Sequence, residues 1–175
     1  MNFLKRLFPK QQRIHQPADP EQASDELRSM ILHLKPEALG IKVSENTPNV
    51  WGVLMEYWIN QTVVTVVSLA DGTTSMYFSS GGGFIGAGEH PKPAMASQQL
   101  IQAAESFLAV IPESIACPMP INGNVRFHLL TFDGSRSIEV AENEVEKPSH
   151  PFFSLYARGQ RVITEIRIHT DANVK

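Results

Sequence analysis

Cysteine is almost absent from this sequence, which has one, Cys117, among 175 residues. One cysteine cannot build an internal disulfide framework, and such usage is typical of a reducing compartment. Long apolar runs are also missing, since none approaches the roughly 18 residues of a membrane span. An excess of basic charge is lacking too, because 15 Lys and Arg face 18 Asp and Glu. Proteins that bind duplex nucleic acid usually have a clearly basic face. The sequence therefore predicts a cytoplasmic protein that does not bind nucleic acid.

The rest of the composition is that of one folded domain. Apolar residues make up 42% and charged residues 19%, which favours neither a disordered chain nor a membrane protein. The length suffices to bury an ordinary core. Residues 9–18 have no apolar period. We therefore divide the chain into a basic amphipathic N-terminus with a linker, residues 1–18, and a single domain, residues 19–175.

The N-terminal segment MNFLKRLF has four apolar side chains that would share one helical face, interrupted by Lys5 and Arg6. It ends at Pro9 and is too short for a secretory signal. One interpretation is that residues 1–10 contact a membrane surface or dock on a partner. The other is a first turn that packs on the domain or frays. Four apolar side chains without a second signal bind membranes only marginally, so we favour the second interpretation.

Two β-hairpins are predicted from Asp-Gly turns between strand-like segments, of which residues 62–69 are rich in β-branched side chains and apolar on both faces. Residues 62–69 and 74–79 flank Asp71-Gly72, which we interpret as a two-residue type I′ turn. That register pairs Val66 with Tyr77 and Val64 with Ser79 on a mixed face.

The second hairpin flanks Asp133-Gly134, and its predicted register pairs His128 with Glu139 on the outer side. Residues 50–59 add one more strand, with Trp51, Val53 and Met55 on one face.

Helical spacing of apolar residues predicts one helix that starts at Asp19-Pro20 and ends before Pro36, and another from Pro93 to Ile111. Residues 152–168 fit a third helix, although 162–168 also fit a strand. Together these segments predict an α+β fold, with an antiparallel sheet of about five strands, built from two hairpins plus one strand, and three helices packed on it.

A glycine-rich loop, residues 79–90, is the most conspicuous candidate site. Gly81, Gly83 and Gly86 satisfy G-x-G-x-x-G, but an antiparallel hairpin precedes them and the following helix is delayed by prolines. The loop amides could instead form a nest for a small anion. Alternatively, the loop is structural, with Phe84 and Ile85 buried as a plug. The candidate ligand-binding residues are Ser79, Ser80, Gly81, Gly82, Gly83, Gly86 and His90.

Other reactive side chains give weaker patterns. Cys117 could be a nucleophile activated by His128 or His90, but a lone cysteine is more often a small buried hydrophobe. His90 and His150 could meet to hold a metal with Glu89, yet no metal-ligand spacing supports this. We therefore predict no catalytic residue, no metal and no cofactor.

The segment LADGTTSMYFSSGGGFIGAG resembles a motif in small bacterial proteins of uncharacterised function. Some of those proteins also begin with a short basic and apolar N-terminus. The resemblance covers roughly residues 50–110 and implies a bacterial cytosolic protein. It implies no catalytic or binding residue.

The first functional hypothesis is a non-enzymatic interaction or regulatory module whose partner is another protein. Its predicted contact surfaces are the mixed sheet face, with Val64, Val66 and Tyr77, and the glycine loop. The alternative is a small-ligand or anion-binding protein, conceivably an enzyme, that uses residues 81–88. Neither the partner nor the oligomeric state follows from the sequence.

Overall fold

A six-stranded antiparallel sheet organises the protein, for which a computed structural model describes residues 20–172. The strands are β1 (Val50–Ile59), β2 (Thr62–Leu69), β3 (Thr74–Phe78), β4 (Gly83–Phe84), β5 (Asn124–Thr131) and β6 (Gly134–Ala141). Their spatial order is β4-β3-β2-β1-β5-β6. The α+β class and the antiparallel sheet are confirmed. The strand beyond the expected five is β4, whose two residues are too few to show a period.

Four α-helices belong to the described residues, one more than expected. They are α1 (Pro20–Leu32), α2 (Pro91–Ala104), α3 (Glu142–Val145) and α4 (Phe153–Ala172). The additional helix, α3, is a single turn of four residues. Residues 162–168, which also fit a strand, are helical. The second helix is shorter than predicted, because a 3-10 turn, Glu105–Phe107, follows Ala104.

The two faces of the sheet carry separate cores. Helices α2 and α4 cover one face, where Val53, Met55 and Phe127 are fully buried. Helix α1 lies on the opposite face over Leu54, Val67 and other apolar side chains. This placement follows from the alternation of β1, because Met55 and Leu54 are neighbours in sequence and point to opposite faces.

The register of the first hairpin differs by one residue from the predicted one. Thr65 faces Tyr77 and Val66 faces Met76, so the predicted pair Val66–Tyr77 is wrong. The loop has three residues, 70–72, rather than two, and Gly72 adopts a left-handed φ of +88°. A slip of one residue moves a side chain to the other face, so Tyr77 lies on the α1 face.

The second hairpin is shifted by two residues. Thr131 pairs with Gly134 across a two-residue loop, Phe132-Asp133. His128 consequently faces Ser137, and the predicted pair His128–Glu139 is wrong. A shift of two keeps His128 on the face opposite Phe127. That face is covered by α1 and His128 is 1% exposed, so its predicted outer position is wrong.

Candidate functional site

A row of polar side chains crosses the α1 face of the sheet. Its members are Tyr77 on β3, Thr65 on β2, Glu56 on β1, Arg126 on β5 and Glu139 on β6, each directly opposite the next in register. Five strands therefore deliver one polar residue each to the same level of the sheet.

Glu56 is the centre of this row and is fully buried. Arg28 of α1 donates two hydrogen bonds to its carboxylate, from Nε at 2.7 Å and from Nη2 at 2.8 Å. The Thr65 hydroxyl donates a third to Oε1 at 2.9 Å, and His128 Nε2 lies 3.1 Å from Oε2, so each carboxylate oxygen has two partners. A bidentate arginine fork is the strongest of these contacts, and it fixes α1 on the sheet.

The electrostatics hold Glu56 as a carboxylate. Burial alone would raise its pKa, but hydrogen bonds from His128 and Arg28, together with the charge of Arg28, lower the pKa to about 2. Burial opposes the charge of Arg28 as well, yet its bond to Glu56 raises the guanidinium pKa. Because the carboxylate only accepts, His128 donates through Nε2. Its Nδ1 is buried without a partner among the described residues.

This saturated carboxylate is suited to positioning rather than to proton transfer. A general acid or base needs a pKa near the working pH, and the pKa of Glu56 lies far below neutrality. The cluster also reaches the loop that follows α2, because Arg28 Nη2 donates to the Pro118 carbonyl at 3.0 Å. Trp58 Nε1 donates to the Pro120 carbonyl at 2.7 Å. Residues 118–120 are thereby held against the α1 face.

The same loop also extends the outer edge of β6. The Ser114 amide donates to the Ser135 carbonyl at 3.0 Å, and the Ser137 amide donates to the Pro112 carbonyl at 3.1 Å. Residues 112–114 thus cover the first half of this edge, and the chain then turns towards Arg28.

A cleft of about 620 Å³ opens beside the buried cluster. It lies between the end of α1 with residues 33–37, the loop residues 113–117, and the turn between β5 and β6. Its apolar lining comprises the partly buried Leu32, Leu34 and Phe132, together with Trp51 and Leu130, which are each only 2% exposed.

The rim of this cleft is charged. Lys35 and Glu37 come from the segment after α1, and Asp133 comes from the β5–β6 turn. Arg136 is already engaged, because it donates to Glu113 at 3.1 Å and to the Ile111 carbonyl at 3.2 Å. Three carboxylates therefore meet two cations, and the rim is slightly acidic.

Cys117 lines this cleft and is half-buried. Burial raises the pKa of its thiol, although Arg28 acts in the opposite direction. The thiol is consequently protonated near neutral pH, whereas a nucleophilic cysteine needs a lowered pKa. The proposed activating partner His128 is occupied by Glu56.

The predicted residues Ser79 to Gly82 lie close together, but their hydrogen bonds are to neighbouring strands and to each other's turn, and they enclose no cavity. Ser79 accepts from the Val63 amide at 2.8 Å, and Thr62 bonds to the hydroxyls of both Ser79 and Ser80. The Gly81 amide donates to the Phe78 carbonyl, and the Gly82 carbonyl accepts from the Phe78 amide.

The remaining members of the predicted loop site lie apart from this turn. Gly83 begins β4, and Gly86 precedes a 3-10 turn, Ala87–Glu89. His90 stacks on His169 with 3.4 Å between ring centroids, in a second cleft of about 450 Å³ between the start of α2 and α4. Residues 79–88 line neither cleft. Of the predicted plug, Phe84 packs on the core and Ile85 is 50% exposed.

The predicted contact surface is inaccessible. Val64, Val66 and Tyr77 are 1%, 0% and 3% exposed, and Tyr77 lies on the other side of the sheet from the two valines. Their burial follows from the helices on both faces.

The sequence interpretation missed Arg28 and Glu56. A lone glutamate flanked by Leu54 and Trp58 on an otherwise apolar face was the available signal, because buried carboxylates are rare without a partner.

Residues 20–172 contain neither a group of metal ligands nor a membrane-spanning helix. No three His, Cys, Asp or Glu side chains there are grouped so as to hold a metal ion. None of the helices there combines the length and apolar character needed to cross a bilayer. Both interpretations of residues 1–10, membrane or partner contact and a first turn that packs or frays, concern residues outside those described.

Comparison of the chain with protein-family models, curated proteins and solved structures gives no match. The resemblance of residues 50–110 to small bacterial proteins therefore stays a prediction.

Proposed function

We propose that the protein is a non-enzymatic binding module and that the cleft beside Cys117 receives a short segment of another protein. The observation that carries this proposal is the combination of an apolar wall with an acidic rim in one open cleft of about 620 Å³. Ligand sites are typically concave and combine apolar surface with a few polar groups that set orientation.

The charges of the rim indicate the chemistry of the partner. Arg136 is bonded to Glu113, which leaves Glu37 and Asp133 against Lys35. A segment with apolar side chains next to Lys or Arg would complement this rim, because opposite charges guide association and suppress wrong partners.

Two observations favour binding over catalysis. The Glu56 carboxylate has all its hydrogen bonds supplied by Arg28, Thr65 and His128. The Cys117 thiol has a raised pKa. The alternative of an anion site in residues 81–88 gains no such support, because the Gly81 amide is already bonded within the loop.

The test is a selection of random twelve-residue peptides displayed on phage against the full chain, followed by affinity measurement of the enriched peptides. Ser135→Trp fills the cleft, because Ser135 lies on its wall and a strand tolerates Trp. We expect enriched peptides to combine Leu or Phe with Lys or Arg, and to lose affinity at least about tenfold on Ser135→Trp.

The matched control is Gln98→Trp, on the exposed side of α2 across the sheet. It should leave the affinity unchanged, and thermal unfolding should show that both variants fold. Peptides that bind Ser135→Trp as tightly as the unmodified chain would show that the cleft is not the binding site.

A further inference from the structure

We propose that residues 3–8 of this same chain occupy the cleft, so that a partner must displace them. This inference rests on the proposed function of the cleft. The segment FLKRLF places Phe3, Leu4, Leu7 and Phe8 beside Lys5 and Arg6. That is the chemistry the cleft calls for, with apolar groups for its wall and positive charge for the acidic rim.

The point where the described chain begins allows this contact. A Cβ on Gly81 would lie 2.3 Å from Cβ of Pro20, so the chain enters at the β3–β4 turn. Helix α1 has 13 residues and spans roughly 20 Å from there to the cleft. The eleven residues 9–19 can extend over roughly 36 Å. The linker can therefore run back along α1 and place residues 3–8 at the cleft.

The second cleft is a poorer receptor for the same segment. Its rim carries Lys92 together with the stacked rings of His90 and His169. Its carboxylate, Glu165, is bonded to Arg161. At the second cleft, Lys5 and Arg6 would be repelled by Lys92, and the carboxylate there is already paired. At the first cleft they would be attracted by Glu37 and Asp133.

Occupation within the chain makes the segment a competitor for the partner. A short tether gives an effective concentration on the order of millimolar, which exceeds the concentration of most partners. The apparent affinity for a partner then falls by the fraction of time that the cleft is open.

Cys117 supplies a natural reporter, because it lines the cleft and the chain has no other cysteine. The experiment uses the full chain with Asn2→Cys and a short bis-maleimide. We expect a cross-link within one chain, located by mass spectrometry between positions 2 and 117. The double substitution Leu4→Asp with Leu7→Asp should reduce its rate about tenfold, because it removes apolar contacts without shortening the tether.

The matched control moves the reporter to the second cleft, in a chain with Asn2→Cys, Cys117→Ser and Lys92→Cys. Cross-linking between positions 2 and 92 should be slow, and its rate should not change on Leu4→Asp with Leu7→Asp. Equal rates at the two clefts, or a cross-link at position 117 that ignores the double substitution, would overturn the proposal. Cross-linked dimers without the intrachain product would also overturn it, since they would place the segment in a second copy.

Peptide affinity separates this inference from the proposed function. Peptides enriched on the double variant should bind it about tenfold more tightly than the unmodified chain, because the competing segment is removed. If the peptides bound both chains with equal affinity but still lost affinity on Ser135→Trp, residues 3–8 would not be a competitor. The cleft would still be the binding site. No enrichment on either chain would overturn the proposed function itself.

Discussion

A single carboxylate, Glu56, illustrates at the residue scale how burial and pairing oppose one another. Burial without partners would neutralise the group, and the hydrogen bonds from His128 and Arg28, together with the charge of Arg28, keep it ionised. When Arg28, Thr65 and His128 all replace solvent, their attraction largely offsets the cost of burying the charge. The loss of one partner, by contrast, leaves an uncompensated buried charge.

Glu56→Gln is therefore expected to destabilise the protein by about 3–5 kcal/mol at pH 7, because it leaves the Arg28 guanidinium unpaired beneath α1. The substitution should also change the response to acid. The pKa of Glu56 is lowered from 4.5 to about 2 in the folded protein. Its contribution is present above pH 4.5 and is lost as the pH falls towards 2. The unmodified chain should thus lose on the order of 2–3 kcal/mol more than Glu56→Gln over this interval, measured by urea unfolding.

The matched control is Glu113→Gln, which breaks an ion pair whose carboxylate side chain is 80% exposed. Exposed pairs contribute roughly 0–1 kcal/mol, so this variant should unfold within that margin of the unmodified chain. If Glu56→Gln and Glu113→Gln unfolded at the same urea concentration, the buried cluster would have no special role in stability.

Two turns between elements approach each other closely at Gly88, a glycine that the G-x-G-x-x-G pattern does not include. Gly88, in the 3-10 turn before α2, is not one of the three pattern glycines. Its Cβ would lie 1.7 Å from the Gly72 carbonyl oxygen, so the turn after β4 packs directly on the turn between β2 and β3. Gly82 instead has a positive φ of +82° and open space around it.

Gly88→Ala is expected to destabilise the protein by more than Gly82→Ala. The first substitution forces two backbone turns apart, and such overpacking costs about 1–3 kcal/mol or more. The second adds left-handed strain, on the order of 1 kcal/mol. Thermal unfolding of the two variants provides the comparison. An equal loss would mean that the turns separate easily.

Helices and strands could be predicted from the sequence where neighbouring residues show a clear local pattern. The alternation in residues 50–59 and the β-branched run in residues 62–69 match β1 and β2, and the Asp-Gly steps mark both hairpins. The register was not predictable, because Asp71-Gly72 fits both a two-residue loop and the three-residue loop that is formed. That difference alone moves Tyr77 to the opposite face.

The site was less accessible to sequence reasoning than the elements. Glu56 and His128 are separated by 72 positions in the chain, and Arg28 reaches them from a helix before the first strand. Their contact depends on the register of β1 with β5 and on the position of α1, which local spacing does not determine. The cleft likewise combines three segments that are distant in sequence.

At the scale of the whole molecule, the two faces of the sheet are unequally covered. The core beneath α2 and α4 contains 20 buried apolar residues, whereas the core beneath α1 contains 8. Apolar burial is the main stabilising term in folding, so α1 is expected to open before the opposite face does. The cleft lies on this weaker side, where α1 supplies one of its walls.

Hydrogen exchange can separate these two units. Ile31→Ala removes a side chain that is 2% exposed in the smaller core, and Leu100→Ala removes one that is fully buried in the larger core. Each truncation costs about 2–5 kcal/mol where it acts. Ile31→Ala should accelerate exchange in residues 20–32 while α4 keeps its protection, because the local opening of α1 becomes easier. Leu100→Ala should instead lower the protection of the slowest amides in the sheet and in α4. If Ile31→Ala accelerated α1 and α4 equally, the two faces would form one cooperative unit, and the cleft would have the stability of the whole molecule.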